Sequence, residues 1–149
     1  MTIVIDSREQ LPFDFKGFDC KTVQGSLASG DYSLLGFEDM VALERKSLSD
    51  LIGCFTSGRE RFVREMERLR GFQSAAVVVE ADFSDLAGGR YRSKLNSNIA
   101  VQSVISIMQN YRMPFFFAGN RKEAEKFIYD FLRHFHRHAA ARYKAATKM

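Results

Sequence analysis

Residues 41–50 read VALERKSLSD, an apolar run that changes abruptly to charged residues. An apolar run of this length predicts a buried strand, which we place over residues 40–46. Side chains in a strand point to the two faces of the sheet in turn, so we expect Glu44 and Lys46 on one face and Arg45 on the other. One carboxylate and one ammonium group should therefore share a surface.

A second acidic residue, Asp31, begins the apolar segment that precedes this strand. If the two segments are neighbouring strands, the carboxylates of Asp31 and Glu44 lie side by side. Mg²⁺ prefers oxygen ligands and usually takes one or two protein carboxylates, leaving the other positions to water and phosphate oxygens. Lys46 could then orient the attacking water or neutralise charge in the transition state. The pattern therefore predicts a site that can hydrolyse a phosphodiester.

The Glu-x-Lys pair has a simpler explanation, because such pairs are common and most often mark a solvated strand end. Other polar residues strengthen the prediction, although each has its own alternative. Asp6, which ends a predicted strand over residues 3–6, could be a third metal ligand or could hydrogen-bond nearby backbone amides. Asp50 belongs to a capping box that begins with Ser47, which explains most of its role. Glu80, after the apolar run 75–80, could border the site or cap the next segment.

Five segments, in this order, resemble the nuclease domain of the XPF-family structure-specific endonucleases. They are residues 3–9 (IVIDSRE), 30–32 (GDY), 43–50 (LERKSLSD), 57–59 (SGR) and 77–80 (VVVE). The Glu-Arg-Lys-x-x-x-Asp motif is the specific one, and the resemblance covers nearly the whole of residues 1–149. It implies an α/β restriction-endonuclease-like fold, a mixed central sheet flanked by helices, with DNA cleavage that depends on Mg²⁺ or Mn²⁺. The implied substrates are branched, flapped or nicked DNA in repair, recombination or replication.

The resemblance also implies roles for individual residues. The implied catalytic group is Asp6, Asp31, Glu44, Arg45, Lys46 and Asp50. Metal binding falls to Asp31 and Glu44, assisted by Asp6. Arg8 and Glu9 border the cleft and could form an ion pair with each other, and Glu80 supports the site.

Basic residues in two regions are predicted to contact DNA. They are Arg8 and Arg59 in the first half of the chain, and Arg90, Arg92 and Lys94 in the loop 88–94. Arg59 begins a predicted helix, where exposed backbone amides favour a phosphate. Tyr91 in the loop could stack on an unpaired base, although the loop could equally be a mobile basic segment.

The remaining elements follow from hydrophobic periodicity. We expect strands over residues 20–26 and 32–35, which with residues 40–46 form an antiparallel hairpin or meander. The helix over residues 59–72 repeats the capping pattern at residues 56–60, with Phe62, Val63, Met66 and Leu69 on its apolar face and Arg68 and Glu65 among its exposed charges.

The C-terminal half is predicted as helix, strand and helix. The first helix covers residues 98–111 with an apolar stripe of Val101, Val104, Ile105 and Met108, and a buried strand covers residues 113–118. Gly119-Asn120 with Glu123 then caps a long helix. Its apolar stripe is Ala124, Phe127, Ile128, Phe131, Leu132 and Phe135. The resemblance implies a homodimer through the last strand and these helices.

Length and composition limit the domain count and the kinds of partner that the chain can have. The 149 residues suit one domain, and the net charge of +4 is compatible with a polyanionic partner without being diagnostic of one. We expect a basic tail at about residues 137–149 that frays or lies on DNA. Cys20 and Cys54 should be reduced thiols, and the histidines at 134, 136 and 138 are not spaced as metal ligands. With no signal peptide and no membrane span, an intracellular protein of the cytoplasm or nucleoid is expected.

The chain departs from the resembled family in two places. It has no room for a helix-hairpin-helix module, and residues 96–103 (NSNIAVQS) differ from the arginine-containing helix start of the family. A non-catalytic DNA-binding and dimerisation scaffold is the alternative function, but it predicts lost carboxylates and here they are present. A nucleotide-binding module is disfavoured because no glycine-rich phosphate loop joins a strand to a helix.

Overall fold

The central sheet has six strands in the order β2-β1-β3-β4-β5-β6, and the computed structural model describes residues 1–148. The strands are β1 (Thr2–Asp6), β2 (Lys21–Gly25), β3 (Tyr32–Leu34), β4 (Val41–Lys46), β5 (Ser74–Val79) and β6 (Phe115–Phe117). The helices are α1 (Leu48–Cys54), α2 (Arg59–Arg70), α3 (Phe83–Ala87), α4 (Ser97–Tyr111) and α5 (Arg121–Ala146). The predicted α/β fold with a mixed sheet flanked by helices is confirmed.

Strand β4 lies inside the sheet and pairs on both sides. It runs antiparallel to β3, with Tyr32 opposite Leu43, and parallel to β5. Asp31 directly precedes β3, so this register places it opposite Glu44. The backbone amide of Asp31 donates to the carbonyl of Leu43 at 2.8 Å, which continues the pairing by one residue. The predicted hairpin with carboxylates on adjacent strands is confirmed.

Strand β2 does not join that hairpin, so the predicted three-strand meander is wrong. β2 pairs only with β1, in parallel, at the edge of the sheet. The connection from β1 to β2 is long enough for the crossover that a parallel pair needs. It also buries Phe13 and Phe15, whose burial anchors the connection against the core. The polar sequence of β2 suits an exposed edge position.

Two hydrophobic cores lie on opposite faces of the sheet. One packs α5 and the β1–β2 connection against the sheet, and the other packs α1, α2 and α4. β4 contributes Val41 and Leu43 to the α5 side and Ala42 to the α1–α2–α4 side. Continuing this alternation, Glu44 and Lys46 face the α1–α2–α4 side and Arg45 faces the α5 side, as predicted.

Caps at α1 and α5 agree with the sequence patterns, and the cap at α2 does not. Ser47 Oγ accepts from the backbone amide of Asp50 at 3.1 Å, and Asn120 Oδ1 accepts from that of Glu123 at 2.9 Å. At α2 the N-cap is Gly58, which has no side chain to accept, so the predicted second capping box is wrong. Helix α5 runs to Ala146, so residues 137–146 of the expected tail are helical.

Two predicted apolar surfaces are placed differently. The buried face of α4 is formed by Ala100, Val104 and Ile107, while Ile105 and Met108 are exposed. Apolar residues surround much of this helix, so periodicity alone did not select the buried side. The strand predicted to be buried over residues 113–118 is the edge strand β6, where Phe116 is exposed and stacks on Phe127.

Within residues 1–148, no helix combines the length and apolar character needed to cross a membrane. Cys20 and Cys54 are both free thiols.

Gly30 fixes the turn that presents Asp31. Its φ is +81°, in the region that side-chain-bearing residues rarely adopt, and a Cβ at this position would lie 2.8 Å from Ala42 Cβ. Gly36 has a similar φ of +89°, but nothing lies within 4 Å of a Cβ built there. The two glycines therefore share the backbone requirement and differ in the space around them.

We predict that Gly30→Ala destabilises the protein more than Gly36→Ala, as measured by urea unfolding. The left-handed backbone should cost each variant about 1–2 kcal/mol. The clash with Ala42 should add about 1–3 kcal/mol to Gly30→Ala alone. Equal free energies of unfolding for the two variants would show that the turn before Asp31 is not tightly packed.

Candidate active site

Glu44 and Lys46 form a buried ion pair at the end of β4. Glu44 is only 5% exposed, and Lys46 Nζ lies 3.0 Å from Glu44 Oε1. The ammonium group also lies 5.9 Å from the ring centroid of Phe62 on α2. The predicted shared surface of one carboxylate and one ammonium group is therefore present, and α2 covers it.

Asp31 completes a pair of carboxylates with Glu44. Asp31 Oδ2 accepts from the backbone amide of Arg45 at 2.8 Å, which holds its side chain beside β4. Burial raises the pKa of Asp31 to about 6, although the Arg45 amide and Lys46 act in the opposite direction. Burial also raises the pKa of Glu44, and the Asp31 carboxylate adds to the effect. The fold thus holds two carboxylates where their negative charges are poorly solvated and repel each other.

Lys46 remains an ammonium group in this setting. Burial by itself lowers the pKa of Lys46, but the neighbouring Glu44 carboxylate outweighs that effect and the pKa is raised overall. Lys46 therefore carries a positive charge at neutral pH and does not act as a general base. Its chemistry is limited to donating hydrogen bonds and balancing negative charge.

Glu65 on α2 is a site residue that the sequence patterns assigned to the wrong face. Its charge raises the pKa of Glu44, and its Oε1 is enclosed. Arg68, also predicted to be solvated, donates from Nε to Ser29 Oγ at 3.1 Å and so holds the loop that precedes Gly30. The available signal was the spacing of Glu65, three residues after Phe62 and four before Leu69, within the apolar stripe.

Asp6 and Arg8 form a structural pair next to these carboxylates. Arg8 Nε donates to Asp6 Oδ2 at 3.0 Å, and the backbone amide of Leu27 donates to Asp6 Oδ1 at 3.0 Å. Both oxygens of Asp6 are therefore engaged, which favours the backbone-bonding alternative over direct metal binding. The predicted Arg8–Glu9 ion pair is wrong, because each residue pairs elsewhere. Arg8 is 72% exposed and stays available at the rim of the cleft.

Arg45 joins separate segments on the face of the sheet opposite Glu44. Its Nε donates to Glu80 Oε1, and its Nη1 donates to Glu9 Oε2 at 3.2 Å and to the carbonyl of Leu11 at 2.9 Å. Its guanidinium also lies 4.3 Å from the ring centroid of Phe13. These contacts assign Arg45, Glu9 and Glu80 a supporting position and leave Arg45 turned away from the carboxylate pair.

The remaining predicted residues are at exposed positions on α1, on α2 and in the loop 88–94. Asp50 is exposed in the first turn of α1, and Arg59 is exposed at the start of α2. Arg90 pairs with Asp85 at 3.2 Å, while Arg92 and Lys94 are exposed.

Tyr91 is half-buried. It packs against the α1–α2–α4 core, and its hydroxyl donates to the carbonyl of Leu95 at 2.7 Å. The stacking role of Tyr91 stays a prediction. A cleft of about 340 Å³ separates its loop from α1, with Ser49 and Ile52 on one side and Arg92 on the other.

The acidic residues do not by themselves enclose a metal ion. Among residues 1–148, no group of three or more His, Cys, Asp or Glu side chains is arranged to hold one. Asp31 and Glu44 nevertheless supply the two carboxylates that Mg²⁺ usually takes from protein, with water and phosphate completing its shell. Their hard oxygen donors and their mutual repulsion suit a divalent cation.

Comparison with solved structures finds proteins of the same architecture. XPF from Aeropyrum pernix superposes with a TM-score of 0.71 at 19% sequence identity, and the match covers 89% of this chain and 60% of that chain. A structure of XPF from Aeropyrum pernix in complex with DNA gives the same TM-score and identity, covering 91% and 65%. This chain thus spans less than two thirds of those chains.

A sequence-family comparison defines the class of protein. The model of the ERCC4 domain matches residues 5–131, and no curated protein matches significantly. The chain therefore belongs to the ERCC4 domain family, the nuclease-domain family of XPF-type structure-specific endonucleases. The resemblance seen in the sequence motifs is confirmed.

We predict that Arg45→Met lowers the free energy of unfolding by about 3 kcal/mol, because it leaves Glu9 and Glu80 as unpaired, largely buried charges. Arg64→Met, at an exposed position on α2, is the matched control and should change stability by no more than about 0.5 kcal/mol. Urea unfolding measures both. An Arg45→Met protein as stable as the control would show that Arg45 does not stabilise the fold through Glu9 and Glu80.

Proposed function

We propose that this protein is an endonuclease that hydrolyses DNA phosphodiesters with Mg²⁺ or Mn²⁺. The observation that carries the proposal is the half-buried Asp31 opposite the buried Glu44, with the Lys46 ammonium beside Glu44, in a chain of the ERCC4 domain family. Perturbed carboxylates next to a fixed cation are typical of catalytic sites. The preferred substrates are branched, flapped or nicked DNA, as encountered in repair and recombination.

Asp31 and Glu44 would hold the cation. When bound, such an ion polarises the scissile phosphate and lowers the pKa of a coordinated water. Asp31 can turn one oxygen toward the cleft while the other still accepts from the Arg45 amide. The backbone of Glu44 is held by strand pairing on both sides, and its carboxylate is held by the ion pair with Lys46.

Lys46 supports the reaction through its positive charge. Its Nζ lies 3.0 Å from Glu44 Oε1 and 5.9 Å from the ring centroid of Phe62, so its position is fixed before substrate arrives. A preorganised cation of this kind stabilises the extra negative charge that a phosphate gains in the transition state. Lys46 can also orient the attacking water by donating a hydrogen bond to it.

The DNA backbone would follow the basic residues around the cleft. Arg8 is exposed beside Asp6, Arg59 lies at the amino end of α2, and Arg92 and Lys94 extend the positive surface past α1. Such contacts bind phosphate without reading sequence, which suits an enzyme that recognises DNA shape. A DNA substrate also implies an intracellular site of action, in the cytoplasm or nucleoid.

The C-terminal elements would form a homodimer. β6 has one unpaired edge, and its exposed Phe116 stacks on Phe127 of α5 with centroids 4.0 Å apart. A groove of about 620 Å³ between α5 and the start of β4 and β5 adds the partly buried Phe131 to this apolar surface. Exposed apolar surfaces of this kind are typical of protein interfaces.

We predict that Asp31→Asn and Lys46→Ala each reduce cleavage of a flapped duplex by about 100-fold or more, because each removes a group that acts on the reacting phosphate. DNA binding should change little in either variant. Asp31→Asn should unfold like the wild type, whereas Lys46→Ala should be less stable because it leaves the buried Glu44 carboxylate without its partner, so thermal melting establishes that it is folded. Asp39→Asn, an exposed aspartate in the β3–β4 turn, is the matched control and should cut like the wild type.

The assay measures Mg²⁺-dependent nicking of a flap and of a plain duplex. Undiminished cutting by purified Asp31→Asn protein would refute the assigned site. Wild-type protein that binds the flap but never cuts it would instead indicate a scaffold that positions an active partner.

We predict that the double variant Arg92→Ala/Lys94→Ala reduces the slope of log affinity against log salt concentration by about two, one for each lost phosphate contact. Lys16→Ala/Lys122→Ala removes the same charge from exposed positions elsewhere and should leave the slope unchanged. Fluorescence anisotropy with a labelled flap measures both slopes. An identical loss of slope in both variants would mean that the loop makes no specific phosphate contacts.

A further inference from the structure

Glu65 occupies an unusual place for a glutamate on an amphipathic helix. It lies one turn from Phe62 and one turn from Leu69, and both of those side chains are buried against the sheet. Residues three or four positions apart share one side of a helix, so Glu65 is on the side that faces the sheet. Its neighbour Glu67 is exposed on the same helix.

The Oε1 atom of Glu65 is enclosed and lacks a hydrogen-bond partner anywhere in residues 1–148. Buried acceptors without a donor are uncommon in folded proteins, and each one calls for an explanation. Two basic side chains, one on β4 and one on α2, make their contacts with other acceptors. Lys46 pairs with Glu44, and Arg68 donates to Ser29.

Glu65 acts electrostatically on another acid, Glu44. The ring centroid of Phe62, one turn from Glu65 on the same side of α2, lies 5.9 Å from Lys46 Nζ, so this side of the helix covers the Glu44–Lys46 pair. The charge of Glu65 accordingly raises the pKa of both Glu44 and Asp31. The enclosed oxygen of Glu65 therefore faces the region of the other two carboxylates. A donor or a cation in that region would satisfy all three.

We propose that Glu65 is a positioning residue of the metal site, with its enclosed oxygen accepting a hydrogen bond from the hydrated Mg²⁺ or Mn²⁺ that Asp31 and Glu44 hold. This inference rests on the proposed function. Two direct carboxylates agree with the number that Mg²⁺ usually takes, and with the finding that no three acidic, His or Cys side chains in residues 1–148 already enclose an ion. Outer groups of this kind orient the ion and tune its affinity.

Mn²⁺ binding to the full chain, followed by electron paramagnetic resonance, tests the proposal without using cleavage. Four proteins are compared: wild type, Glu65→Gln, Glu67→Gln and Glu44→Gln. Glu65→Gln keeps the shape of the side chain and removes its charge, and Glu67→Gln removes the same charge from an exposed position. Thermal melting in a chelator establishes that each variant is folded.

We expect Glu65→Gln to weaken Mn²⁺ binding by about 10-fold or more, with Glu67→Gln unchanged and Glu44→Gln most affected. A Glu65→Gln protein that binds Mn²⁺ as tightly as the wild type would overturn the inference and leave Glu65 as a structural partner of Glu44. In that case the wild type would still bind Mn²⁺ and cut DNA, so the proposed function would stand. Failure of the wild type in both assays would refute the proposed function and this inference together.

Discussion

The carboxylate of Glu44, buried at the end of a central strand, is the constraint on which the rest of the site depends. Removing a charge from water is costly unless partners compensate for it, and Lys46 compensates only in part because Asp31 lies close by. The sheet tolerates this arrangement because β4 is paired on both sides and cannot relax. A site with excess negative charge in a rigid frame is suited to capturing a divalent cation.

Because side chains alternate along a strand, three consecutive residues of β4 lie on the two faces of the sheet and have different roles. Glu44 and Lys46 face α2, where the chemistry is proposed to occur. Arg45 faces α5 and joins Glu9 to Glu80, residues that lie far apart in the chain. In the Glu-Arg-Lys motif, Glu44 and Lys46 thus form the proposed reactive site, and Arg45 joins the segments that carry Glu9 and Glu80. The same alternation explains why the Arg45 side chain is turned away from the carboxylates.

The sequence predicted the features that depend on short-range rules. The strand carrying Glu44, its hairpin with the segment after Asp31, and the Ser47 cap each follow from periodicity or from spacing within a few residues. The edge position of β2, the hydrogen bond from the Leu27 amide to Asp6 and the enclosure of the Glu65 oxygen depend on packing between distant segments. Hydrophobic periodicity assigns a residue to a helix face only approximately. The position of Glu65 near the site therefore follows from the packing of α2 on the sheet, which periodicity does not give.

The central claim is that Asp31 and Glu44 jointly hold a divalent cation, and anomalous diffraction from a crystal soaked in Mn²⁺ tests it most directly. The account predicts one strong peak within coordination distance of a carboxylate oxygen of each residue, with Lys46 still alongside. A crystal that shows no peak there, or a peak coordinated by other side chains while Glu44 stays paired with Lys46, would contradict it.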